Sequence, residues 1–160
     1  GWLWHHADEL RIDRDAISVM GHSAGGHLTA MMMAADWPAF DAAMPVDTVK
    51  AGMPISGIFE LEPLVHTSIN DGPQMDVPEA IRESPLFMEP ATDAPQLVIA
   101  GGHETPEFKR QSDAYVEKFG TATRRMERHD VPQSNHFREL ERLAESDSEV
   151  FVKSLALIKG

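Results

Sequence analysis

One short pattern restricts the backbone of this chain more than any other: Gly21-His22-Ser23-Ala24-Gly25, a G-x-S-x-G string set between a β-rich run and a helical one. Upstream, Ala16 to Met20 reads AISVM, a strand that stops at Gly21. Downstream, Ala24, Leu28, Met31, Met32 and Ala35 fall at helical spacing, which predicts a helix over 24–35 with those residues as its apolar stripe, closed by Trp37-Pro38. A serine on so abrupt a strand-to-helix turn takes strained backbone angles, and its neighbours must be small where bulk would clash; Gly26 extends that series. Such a turn points the Ser23 hydroxyl out of the sheet and leaves the Ala24 amide N–H at the positive end of the helix dipole, where it can serve an oxyanion.

The remaining chain repeats the alternation of strand and helix. Trp2 to Leu10 reads as the end of a helix, Val49 to Ser56 and Gln96 to Ala100 (QLVIA) as strands, and Phe108, Tyr115 and Phe119 mark a helix after Pro106. Thr121 to His129 reads as an edge strand with charged alternate positions, and Arg138 to Ala144 as a helix. Ser146 with Glu149 forms a capping box for a last helix whose Phe151, Leu155 and Ile158 share a face. This is the α/β class, a mostly parallel sheet with helices on both faces. Between the second and third strands, Gly57 to Pro95 carries six of the eleven prolines and is too long for a bare connection, so it is expected to be a partly helical excursion over one end of the sheet. With 160 residues and no internal repeat, a single domain is expected. The three consecutive methionines at 31–33 read as core filler.

Charge and composition remove several function classes. Fourteen Lys and Arg against twenty-six Asp and Glu leave a formal charge of −12, which repels nucleic acid and anionic membranes. The absence of cysteine removes disulfides, thiolate metal sites and cysteine nucleophiles together. No apolar run approaches the roughly 18 residues that span a bilayer. The expectation is a soluble, acidic, cytoplasmic protein.

A serine hydroxyl is a weak nucleophile until a base takes its proton and fixed donors hold the developing oxyanion. The base and an orienting acid should follow Ser23 in the order acid, then histidine, each in a loop beyond a strand's carboxyl end. His136, in Gln133-Ser134-Asn135-His136-Phe137, is the best-placed base. Glu104, in Gly101-Gly102-His103-Glu104-Thr105-Pro106 directly after QLVIA, is the expected acid. Asp93, Asp113 and Asp130 compete with it and read better as solvated or turn-forming residues. His22 reads as packed against the turn, His27 as a packed helix residue, and the other five histidines have no evident role. His103-Glu104 lacks the second histidine of H-E-x-x-H, so no metal is expected.

These blocks resemble the α/β-hydrolase superfamily and, within it, the kynurenine formamidase (arylformamidase) and related esterase group. GHSAGGHL at 21–28 is shared across many esterases, SGIFELEPLVHTSIN at 56–70 looks like the formamidase block after the next strand, and GGHETPEFKRQS at 101–112 is the most diagnostic. In that third block the family usually has Asp where this chain has Glu104, and SNHF at 134–137 matches the block of the catalytic histidine. The resemblance implies a serine hydrolase with Ser23, Glu104 and His136 as catalytic residues, the Ala24 N–H in the oxyanion hole, and no cofactor. It further implies a small amide or ester as substrate, N-formylkynurenine in tryptophan breakdown first and small esters second. Phe59 and Leu64 are candidate pocket walls, Phe59 being equally readable as core. Nothing here matches the H-G-G motif that the family carries before the nucleophile, so the chain reads as the C-terminal part of a larger hydrolase lacking the first strands. The rival expectation is a non-catalytic fragment, or half of a partnered hydrolase, whose exposed sheet edge is an interaction surface. Neither reading involves nucleic acid or membrane partners, and a homo-oligomer is left open.

Overall fold

In the computed structural model, which describes residues 1–160, the apolar runs become four strands: β1 (Ser18–His22), β2 (Ala51–Ile55), β3 (Gln96–Gly101) and β4 (Met126–Val131). They form one parallel sheet in the order β1-β2-β3-β4. The register pairs Ser18 with Ala51 and Gln96 with Met126. The two central strands are buried along their whole length, as a sheet covered on both faces requires. The helices are α1 (Trp2–His5), α2 (Ala7–Leu10), α3 (Ala24–Ala34), α4 (Trp37–Phe40), α5 (Val77–Arg82), α6 (Pro106–Phe119), α7 (Arg138–Leu143) and α8 (Glu149–Lys159). None is long and apolar enough to cross a membrane.

Strands that add in one direction through crossovers of one hand bring their connecting helices to the same face. Ala30 of α3 and Tyr115 and Phe119 of α6 accordingly pack together over Val98. Alternate residues point the other way: Met53, Ile55, Leu97 and Ile99 meet Val150 of α8, with Leu143 of α7 at the margin.

The excursion from Gly57 to Pro95 holds α5 and three 3-10 turns, at Glu62–Leu64, Ser68–Asp71 and Pro85–Phe87. Its start is pinned to α6, because Oε1 of Gln111 accepts from the backbone N–H groups of Phe59 and Glu60 at 2.8 and 2.9 Å. Its two ends are pinned to each other where the Leu86 N–H donates to the Phe59 carbonyl. Phe59 is fully buried and stacked on Tyr115 with ring centroids 4.3 Å apart, the placement of a core residue. Leu64 is half-buried in the first 3-10 turn.

Three local expectations are corrected. The helix after the serine buries Gly26, Thr29, Ala30 and Met33, while Leu28 of the expected stripe is 60% exposed. That helix is apolar on nearly every side, so periodicity alone could not select its inner face. The last helix is capped by Ser148, whose hydroxyl accepts from the Phe151 N–H at 3.1 Å, and not by Ser146. It buries Val150 and Ser154, leaving Leu155 and Ile158 exposed. β4 begins at Met126, five residues later than expected from 121, and is an edge strand with Glu127 and Asp130 facing out. β1 is the opposite edge, and its Met20 is 54% exposed.

Phe59→Ala should lower unfolding free energy by about 3–5 kcal/mol, the cost of removing a fully buried aromatic ring. Urea denaturation followed by circular dichroism measures it, and a loss below about 1 kcal/mol would contradict the core placement.

Candidate active site

β1 passes into α3 with a single residue between them. That residue, Ser23, has φ 57° and ψ −115°, a conformation costing on the order of 1–3 kcal/mol for a residue with a Cβ. Two close backbone approaches impose it. A Cβ on Gly21 would stand 2.3 Å from the Gly25 carbonyl oxygen, and one on Gly26 would stand 2.7 Å from Gly57 Cα. Gly25 has open space around it, so the expected steric requirement holds at Gly21 and Gly26 but not there. The Ser23 N–H donates to the Ile55 carbonyl at 2.9 Å, and the His27 N–H donates to the Ser23 carbonyl at 3.0 Å. Ala24, as the first helical residue, has an N–H with no partner four residues back.

The loops after β3 and β4 are stitched together. The Gly102 N–H donates to the Val131 carbonyl and the His103 N–H to the Ser134 carbonyl, both at 2.8 Å. This brings Oε1 of Glu104 to 2.7 Å from Nδ1 of His136, with the Glu104 side chain only 2% exposed. A carboxylate accepts and does not donate, so Nδ1 carries the proton and Nε2 of the neutral ring has the free lone pair. The His136 ring sits 4.5 Å from His22, 4.8 Å from Phe108 and 5.2 Å from Phe137, centroid to centroid. His136 is therefore brought against His22, the last residue of β1 and the one before Ser23, although no hydrogen bond joins the Ser23 hydroxyl to its ring.

The competing acids lie elsewhere. Asp93 faces Arg124, while Asp113 and Asp130 both bind Arg128. His27 Nε2–H donates to the Glu83 carbonyl at 2.9 Å, since a carbonyl can only accept, and so ties α3 to the residue that caps α5.

The arrangement of Ser23, His136 and Glu104 at the carboxyl ends of parallel strands can be set beside known proteins. The BD-FAE family model matches residues 1–51, which hold β1 and the serine turn. The kynurenine formamidase of Danio rerio is 30% identical over 132 residues, 79% of this chain and 44% of that protein. That of Salmo salar is 31% identical over 133 residues, with the same coverage. A Silicibacter protein described as a presumed thioesterase superposes with a TM-score of 0.76 at 33% identity, over 96% of this chain and 54% of its own. Thermogutta terrifontis esterase 2 superposes with a TM-score of 0.69 at 21% identity, over 99% of this chain and 58% of its own. The chain is an α/β-hydrolase.

Its sequence is kynurenine formamidase-like and esterase-like, and it spans 44% of the length of the curated relatives it matches. Two residues of this α/β-hydrolase site carry contacts that sequence reasoning did not anticipate. Glu139, in the first turn of α7, is 1% exposed, and its Oε1 accepts from the Ser56 hydroxyl at 2.5 Å. His22 places Nε2 at 2.6 Å from the His136 carbonyl oxygen and 3.5 Å from Glu139 Oε1. A Glu three residues after a histidine in HFRELER reads as one charge among several on a surface helix, so nothing in the pattern marked it. His22, His136 and Glu139 also bring ligand-type atoms within 4.8 Å of one another, but Nδ1 of His136 and Nε2 of His22 are already engaged by Glu104 and the His136 carbonyl.

Burial pushes the Glu139 carboxyl above its ordinary value of 4.5; the Ser56 hydrogen bond opposes the rise and the Glu104 charge adds to it. A carboxyl raised in the folded state contributes stability that is complete below the unfolded value and is lost as pH climbs through the folded one. Wild-type stability should therefore fall above about pH 4.5 relative to Glu139→Gln, which stays neutral. Urea midpoints for both proteins across that range test this, and parallel curves would contradict it.

Proposed function

We propose that this α/β-hydrolase is a serine hydrolase in which Ser23 is the nucleophile, His136 the general base and Glu104 the acid that orients it. The observation that carries the reading is the 2.7 Å bond from His136 Nδ1–H to a buried carboxylate, beside a serine held at φ 57° on a strand-to-helix turn. Ser23 Oγ attacks the substrate carbonyl carbon while His136 Nε2 takes the hydroxyl proton. The carbonyl oxygen becomes an oxyanion, and the Ala24 N–H, reinforced by the helix dipole, donates to it. Collapse of the tetrahedral centre breaks the bond to the leaving group, which receives the proton from the imidazolium. Water then repeats the sequence on the acyl-enzyme and releases the acid. Glu104 remains ionised throughout, stabilising the imidazolium and fixing the Nδ1–H tautomer.

The similarity to the two kynurenine formamidases supports an aryl formamide, with N-formylkynurenine giving kynurenine and formate through a formyl-enzyme. A formyl group needs little space on the acyl side, and Phe108 and Phe137 supply aromatic surface beside His136 for an aryl leaving group.

In the full-length natural protein, Ser23→Ala should remove turnover of N-formylkynurenine by at least about 10⁴-fold with the circular dichroism spectrum unchanged. Glu104→Gln should lower kcat by roughly 100-fold or more, since the amide cannot stabilise the imidazolium. Retained turnover in the serine variant would overturn the mechanism. Hydrolysis of a nitrophenyl ester without hydrolysis of the formamide would keep the mechanism and replace the substrate.

A further inference from the structure

The residue before the nucleophile touches the backbone of the proposed base. His22 Nε2 lies 2.6 Å from the His136 carbonyl oxygen. A carbonyl has no proton to give, so Nε2 is the donor and the His22 tautomer is set. This bond runs from the last residue of β1, directly before Ser23, to the loop residue whose imidazole Glu104 holds. Glu139 Oε1 stands 3.5 Å from the same Nε2, a contact beside the bond and not a second hydrogen bond, and accepts from Ser56, the residue that follows β2. The other carboxyl oxygen, Oε2, is buried without a hydrogen-bond partner and lies against the end of β3, where a Cβ on Gly101 would meet it at 2.8 Å. One buried side chain thus contacts the carboxyl ends of three neighbouring strands from a position three residues beyond His136.

A buried carboxyl is a costly way to fill space, since desolvation of the group must be offset by the bonds it makes. Here those bonds and contacts tie the start of α7, three residues after His136, to the ends of β1, β2 and β3. Local turns also shape that loop, through Asn135 Oδ1 accepting from the Phe137 and Arg138 N–H groups. They act within the loop, whereas the His22 bond relates the loop to the elbow.

We propose that His22 and Glu139 are positioning residues that hold His136 in register with Ser23 through the His136 carbonyl oxygen. This rests on the serine-hydrolase reading above. Loss of the donor lets the imidazole drift relative to the serine hydroxyl, and a displacement of about 1 Å costs on the order of 100-fold in the chemical step. Substrate binding does not use this bond, so kcat falls and KM holds.

The test compares His22→Gln, His22→Asn and His22→Phe in the full-length natural protein, with N-formylkynurenine and a nitrophenyl ester as substrates. Gln reaches with an amide N–H to about the place of Nε2, Asn to about that of Nδ1, and Phe keeps bulk with no donor. Expected is a fall in kcat of about 10- to 100-fold for Asn and Phe at constant KM, with recovery to within roughly 3-fold of wild type for Gln. Glu139→Gln, which keeps an acceptor for Ser56, should resemble wild type, and Glu139→Leu should resemble His22→Phe. Should the Phe or Leu variant not fold, the Asn and Gln pair decides alone, because both preserve a polar side chain. Equal kcat for Asn, Gln and wild type overturns the positioning role while leaving the nucleophile in place. A folded wild-type protein inactive on both substrates and unlabelled at Ser23 by a fluorophosphonate overturns the serine-hydrolase reading instead.

Discussion

The contact between Gly21 and the backbone of Gly25 is the constraint from which the site's geometry follows. With hydrogen in place of Cβ, the chain turns from β1 into α3 within one residue; a Cβ there would lie 2.3 Å from the Gly25 carbonyl oxygen. The cost appears one step later, as the φ 57° forced on Ser23. It is met by interactions spread over two strands: the Ser23 N–H bonded to Ile55, the seating of Gly26 on Gly57, and the burial of Ala30 and Met33 on the sheet. Strain concentrated at one residue is thus balanced by ordinary packing elsewhere, and the serine is left projecting at the end of a strand with an unpaired helix N–H beside it.

Two buried carboxyls serve this end of the sheet in different ways. Glu104 has an imidazole N–H as its partner at 2.7 Å and sits after β3. Glu139 has a hydroxyl as its donor, and burial raises its pKa. Glu104 thus faces a group that can become a cation, while Glu139 is bound by a neutral hydroxyl with His22 at 3.5 Å. Their closeness also matters, since the Glu104 charge discourages ionisation of Glu139. The stitched loops after β3 and β4 keep both acids against the same histidine segment.

Where sequence reasoning and structure part, the cause is usually an element whose faces look alike in one dimension. AGGHLTAMMMA carries only His27 and Thr29 as polar side chains, so periodicity did not separate the stripe through Leu28 and Met32 from the buried face through Ala30 and Met33. Ser146 reads as the cap from its three-residue spacing to Glu149, whereas the helix starts after Ser148, in the position from which Val150 meets Met53 and Ile99. Phe59 was readable as wall or core, and the stacking partner that decides for the core, Tyr115, lies far along the chain on α6.

What the sequence alone determined was the local chemistry: an abrupt turn that demands small residues around Ser23, short β-rich runs separated by helices, and an acid and a histidine in polar loops after strands, in the order of the family it resembles. These are legible because turns, periodicity and loop position depend on neighbours within a few residues. Tertiary structure alone decided which face each helix buried, that Glu104 and His136 meet at 2.7 Å, and that His22 and Glu139 join them. Those contacts span 32 and 114 residues for the first two. They come from the parallel register that gathers strand ends at one edge of the sheet, and no local pattern encodes that long-range register.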